Sequence, residues 1–127
     1  MAAVLIVDDD KVLREGLAET LDDLGHRAIE AADGPAALAA LATGTGIAAV
    51  LLDLRMPGGM DGLEVLRRIQ TTPEPPPVAI VTAFAGAANT IEAMRLGAFD
   101  HVTKPVGRAE VADLVRRMLR SRELPLA

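Results

Sequence analysis

The stretch VLIVDDDKV, residues 4–12, drives four aliphatic side chains straight into Asp8, Asp9 and Asp10. An uninterrupted apolar run of this kind, rich in Val and Ile, reads as an interior strand. Its end is the puzzle. Adjacent like charges repel one another, and drawing any of them out of water costs more still. A compensating charge has to come from elsewhere in the chain or from solution. Farther along, the same signature recurs. IAAVLLDL (47–54), VAIVTA (78–83) and HVTK (101–104) are further apolar strands, and HRAIEA (26–31) is a weaker one. The runs at 47–54 and 78–83 are apolar on both faces, as expected of parallel strands covered by helices on each side.

Between the strands lie amphipathic stretches. KVLREGLAETLDDLG (11–25) sets Val12, Leu13, Leu17, Leu21 and Leu24 on one stripe and stops at Gly25. GPAALAALATG (34–44) carries Pro35 early in the helix, where its missing N–H is no loss, and ends at Gly44. DGLEVLRRIQ (61–70), ANTIEAMRLG (88–97) and GRAEVADLVRRMLRSR (107–122) keep the same period. A β-α unit repeated five times predicts an α/β fold, a parallel sheet with right-handed crossovers and helices on both faces. TTPEPPP (71–77) is a proline-rich connection between the third helix and the fourth strand, too short to divide domains. One domain is expected of 127 residues, with ELPLA (123–127) as a tail or the start of a linker.

The chain has no cysteine, which excludes a disulfide framework, a thiolate zinc site and a cysteine nucleophile. It shows neither the pattern of a secretory signal nor an apolar run of membrane-spanning length, so a cytoplasmic location without a membrane partner is expected. A net charge of -5 and the lack of Trp and Tyr argue against direct nucleic-acid binding. The basic stretch RRMLRSR (116–122) reads as the solvated face of the last helix.

In open parallel sheets, function gathers at the carboxyl ends of the strands. There this chain places Asp8 and Asp9, then Asp53, Thr82 and Lys104. Clustered oxygen donors without His or Cys suit a hard cation, and few carboxylates plus water suit magnesium better than calcium. Such an ion offsets the repulsion. A carboxylate can also attack phosphorus to give an aspartyl phosphate, a reaction that needs mainly positioning and charge neutralisation. Each residue has a plainer reading. Asp10 is expected to be a helix N-cap worth about 1 kcal/mol, and Asp8 and Asp9 have the same alternative. Asp53 would open a turn, Thr82 would be a strand end and Lys104 a surface lysine. Five compatible residues on four strand ends favour a site.

At these residues the sequence resembles the receiver domain of two-component response regulators. VLIVDDD, LLDLRMP, DGLEVL, VTA and LGAFDHVTKP occur in family order across essentially the whole chain. EAMRLGAFDHVTKP is similar to receivers of the nitrogen-regulation type. The resemblance implies a doubly wound, flavodoxin-like (βα)5 fold of sheet order 2-1-3-4-5, with residues 1–122 as the receiver domain. It implies that Asp53 is the phosphoacceptor and that a sensor histidine kinase or phosphotransfer protein is the donor. Asp9, Asp53 and the backbone carbonyl of Arg55 would ligate magnesium, or manganese in its place, with Asp8 holding the ion through water. Thr82 would hydrogen-bond the phosphoryl group, Lys104 would pair with it, and Ala83 would leave room for the donor. The chain would be a phosphoacceptor with self-catalysed transfer and autodephosphorylation, not a conventional enzyme.

Three departures and one flanking residue qualify the match. His101 stands where the family usually has the Tyr or Phe that swings inward with the threonine, which implies an altered or pH-sensitive switch, or a plain surface histidine. MPGGMDG (56–62) has one residue more than the common loop, and Val106 replaces a frequent aromatic. Phe84, two places beyond Thr82, is expected either to shield a slow-decaying phosphoryl group from water or to pack the loop. The readout surface would be residues 88–117, where a second copy or an output domain docks, steered by Glu92, Arg95, Asp100, Arg108 and Glu110. Two other functions fit the same residues: a constitutive interaction module, and an aspartate-nucleophile phosphatase. The latter usually carries a second aspartate where this chain has Arg55.

Overall fold

The apolar runs form strands and the periodic stretches form helices in strict alternation: β1 (Ala3–Val7), α1 (Lys11–Asp23), β2 (Arg27–Ala31), α2 (Gly34–Ala42), β3 (Ile47–Leu52), α3 (Gly62–Gln70), β4 (Val78–Thr82), α4 (Ala88–Arg95), β5 (Asp100–Thr103) and α5 (Arg108–Glu123). The structure is a computed structural model that describes residues 2–43, 46–56, 59–84 and 86–123. The strands pair in parallel in the order β2-β1-β3-β4-β5, the doubly wound order that the resemblance implied.

Successive strand residues point to opposite faces, and both faces are covered. Leu5, Val7, Val50, Leu52, Val78 and Ile80 pack with Val65, Leu66 and Ile69 of α3, Ala37 of α2 and Ala93 of α4. Their neighbours Val4, Ile6, Ala49, Leu51, Ala79 and Val81 pack with Leu17 and Leu21 of α1 and Val111, Leu114, Val115 and Met118 of α5. Double coverage is why these strands lack a polar alternation. The edge strand β2 is half exposed, which is why HRAIEA gave the weakest strand signal.

Two positions of the expected α1 stripe are corrected. Val12 is 80 % exposed and Leu24 is 40 % exposed, whereas Leu17, Thr20 and Leu21 are buried. At about 100° per residue, Val12 lies some 140° from Leu17, on the opposite side of the helix. Leu24 shares the inward azimuth but is the C-cap, where the helix has already ended. The stop at Gly25 is as read. With φ of +88°, Gly25 donates to the Asp22 carbonyl and His26 to that of Leu21, a Schellman closure. Gly97, φ +101°, closes α4 in the same way through Met94 and Ala93.

α2 ends at Ala42 with Thr43 as its cap, and Gly44 lies outside the described residues. So do Pro57 and Gly58 of the lengthened loop and the tail 124–127. No helix among the described residues is long and apolar enough to cross a membrane.

Candidate functional site

Backbone hydrogen bonds draw the strand ends into one rim. The Asp53 N–H donates to the Val7 carbonyl at 2.9 Å and the Lys104 N–H to the Thr82 carbonyl at 2.8 Å. β3 ends at Leu52 and β5 at Thr103, so Asp53 and Lys104 are the first residues beyond the ladder. Asp8, Asp53 and Thr82 remain almost enclosed, at 2 %, 5 % and 2 % exposure, while Asp9 faces solvent.

The Lys104 ammonium answers part of the crowding. Its Nζ lies 2.9 Å from Asp8 Oδ2 and 3.3 Å from Asp53 Oδ2. The other oxygen of each carboxylate accepts a backbone N–H, from Asp10 onto Asp8 at 2.9 Å and from Arg55 onto Asp53 at 3.1 Å. Burial pushes the Asp53 carboxyl above its ordinary 3.8; the Arg55 N–H opposes this, the Asp8 charge adds to it, and Lys104 opposes it. Burial would lower the Lys104 ammonium from 10.5, but its hydrogen bond to Asp8 and the charges of Asp53 and Asp8 hold it higher.

One cation is not enough for three anions. Oxygens of Asp8, Asp9 and Asp53 lie within 4.8 Å of one another, so a single hard cation can touch all three residues. The donor set is all oxygen, and each carboxylate oxygen has capacity beyond its one hydrogen bond. The residues present therefore fit a magnesium-type ion.

Thr82 Oγ1 accepts the Phe84 N–H at 3.1 Å, and the Phe84 carbonyl accepts the Thr90 hydroxyl of α4 at 3.1 Å. Arg55 is exposed, and its guanidinium stacks over the Phe84 ring with Cζ 4.5 Å from the centroid. His101 is exposed on β5, its N–H donating to Asp100 Oδ1 at 2.7 Å. Val106 is half-buried and packs against the cluster of α1 and α5. The Lys104–Pro105 peptide is cis. Asp10 caps α1 by accepting from the Leu13 N–H at 3.2 Å, which separates its role from those of Asp8 and Asp9.

Two site-forming residues escaped the sequence reading. Arg14 of α1 donates to the Asp8 carbonyl at 2.8 Å and pairs with Glu30 at 3.0 Å, pinning the turn that carries the acids. Gly62 begins α3 against the backbone that follows β3. A Cβ there would fall 2.4 Å from Leu54 Cα and 2.6 Å from the Asp53 carbonyl oxygen. A glycine directly after the N-cap Asp61 was the available signal, since glycine is a poor helix residue unless space demands it. Of the residues proposed to steer docking, Asp100 pairs internally with Arg117 at 3.1 Å and Arg108 with Asp23 at 3.0 Å.

Residues 4–116 match the family model described as the response regulator receiver domain. The chain is 40 % identical over 116 residues to the response regulator protein FleR of Pseudomonas aeruginosa, covering 91 % of this chain and 24 % of that protein. It is 33 % identical over 120 residues to the transcriptional regulatory protein FixJ of Bradyrhizobium diazoefficiens, covering 94 % and 58 %. Among solved structures, the receiver domain of NtrX from Brucella abortus superposes with a TM-score of 0.86 at 30 % identity, covering 93 % of this chain and 98 % of that one. The chemotaxis protein CheY4 of Vibrio cholerae gives 0.84 at 30 % identity, covering 94 % and 99 %. The chain thus spans between a quarter and three-fifths of these two curated relatives' lengths.

Proposed function

We propose that this chain, which belongs to the response regulator receiver domain family, is a phosphorylation-controlled signalling switch whose phosphoacceptor is Asp53. The observation that carries the reading is the pairing of Asp53 with Asp8 through one ammonium, beside the three-carboxylate cluster. Asp8, Asp9, Asp53 and the Arg55 carbonyl would hold magnesium. The ion would supply charge neutralisation as negative charge builds on the transferring group.

The chain's own residues do the rest. A carboxylate oxygen of Asp53 attacks phosphorus and an O–P bond forms. The P–N bond of a phosphohistidine on a kinase or phosphotransfer protein breaks, and the imidazole nitrogen leaves with the electron pair. Lys104 already bridges Asp8 and Asp53 and follows the new charge. Thr82, enclosed beside the site, offers its hydroxyl to the phosphoryl oxygens.

The readout would run through α4, β5 and α5. Thr90 ties α4 to Phe84 in the loop that follows Thr82, and Ile91 and Met94 of α4 stand exposed as an apolar face for an output domain or second copy. Asp100 of β5 is held by Arg117 of α5, so a docking partner must compete with that pair. Residues 1–122 would be the switch unit, working in the cytoplasm with no nucleic-acid contact of its own. His101 would swing inward in the modified state less completely than an aromatic residue. Beryllofluoride should therefore reduce carbethoxylation of His101 without abolishing it; unchanged labelling would remove His101 from the switch.

Transfer of labelled phosphate from a small phosphodonor with magnesium tests the whole reading. Stable, stoichiometric label that Asp53→Asn abolishes is expected. Continuous turnover of added phosphoesters would make the chain a phosphatase instead, and no label would leave an interaction module.

A further inference from the structure

We propose that Arg55 is a second phosphoryl ligand, which exchanges the Phe84 ring for the phosphoryl group when Asp53 is modified. The inference rests on the receiver reading and adds a residue whose partner differs between the two states. Arg55 is tied to the acceptor through its own N–H, 3.1 Å from Asp53 Oδ1. Its guanidinium lies on the Phe84 ring at 4.5 Å and bridges the loop after β3 to the loop after β4. Arg55, Thr82, Phe84 and Thr90 line one cleft of about 310 Å³, so Arg55 shares a cleft with Thr82, the residue proposed to bind the phosphoryl group.

The Phe84 backbone is fastened on both sides, with its N–H on the Thr82 hydroxyl and its carbonyl accepting from Thr90. Phe84 as a whole is 50 % exposed. A guanidinium over an exposed ring is held weakly, whereas guanidinium on phosphate is a charge-assisted, often bidentate contact. The added charge at Asp53 therefore outbids the ring. Releasing Phe84 removes the cross-loop contact just as Thr82 engages the same phosphoryl group, and Thr90 passes the freedom to α4. A ligand shifts an equilibrium only through contacts that differ between the states, and this is one such contact.

Beryllofluoride titration of the 127-residue chain with magnesium, followed by NMR, reads the exchange. Phe84 is one of only two aromatic residues apart from histidine, so a ring-current shift on the Arg55 side-chain protons is assignable. That shift is expected to vanish on saturation. Arg55→Gln should weaken beryllofluoride binding roughly 10-fold. Phe84→Leu should tighten it about 2- to 5-fold by removing the competing partner. In the Arg55→Gln background, Phe84→Leu should change nothing. A role in loop packing alone would make both single variants bind more weakly. Persistence of the ring-current shift at saturation, or weaker binding by Phe84→Leu, would overturn the exchange while leaving the receiver reading intact. Failure of the unaltered chain to bind beryllofluoride would overturn both.

Discussion

At the scale of single residues, the site is an electrostatic balance with one cation on hand and room for another. Asp53 sits above its ordinary 3.8, so the folded chain holds that proton more tightly than the unfolded chain does. Its contribution to stability therefore declines as pH rises from that value, and at neutral pH the ionised carboxylate opposes folding. Asp53→Asn in metal-free protein should raise the denaturation midpoint at pH 7, and the gain should shrink as the pH approaches 4. A constant gain across that range would show that Asp53 titrates normally. Lys104 follows the same direction in a higher pH window. Its raised ammonium pKa supports the fold fully below 10.5 and loses that support as pH climbs through the raised value. Lys104→Met leaves two enclosed carboxylates without their ammonium and should cost about 2 kcal/mol or more at pH 7. Magnesium should restore part of that loss, measured as the shift in urea midpoint on adding the ion.

At the scale of elements, caps and close approaches decide where side chains arrive. The ten elements were legible because strand and helix periods alternate cleanly along the chain. The convergence of Asp8, Asp9, Asp53, Thr82 and Lys104 on one rim was legible because strand ends are marked by a sudden change from Val, Leu and Ile to Asp, Thr or Lys. Their supports were not. Arg14 reaches Asp8 across a turn of α1, and nothing in local spacing distinguishes it from a solvated arginine. Val12 looked inward only because a list of apolar residues ignores the helical angle. The packing of Gly62 on Leu54 depends on how α3 crosses the end of β3, a tertiary fact that no window of sequence contains. Gly62→Ala should accordingly cost roughly 2 kcal/mol or more and weaken beryllofluoride binding, because the Asp53–Leu54 backbone has to move. Full stability in that variant would mean that the junction is loose.

At the scale of the whole molecule, a sheet buried on both faces is the frame on which the rim residues stand. Truncating the frame should act on stability alone. Leu51→Ala is expected to cost about 2–5 kcal/mol, read by urea denaturation, while Asp53 still accepts phosphate under native conditions. The proposed switch needs a frame that holds four strand ends in place while the loops choose between partners. The family assignment makes this frame a response regulator receiver domain. The most direct test is to phosphorylate the chain with a small phosphodonor, reduce the product with labelled borohydride and map the labelled residue, with and without magnesium. Label confined to position 53, as homoserine, and lost on chelation is the expected result. Label at another residue, or equal labelling without the ion, would contradict the proposed chemistry.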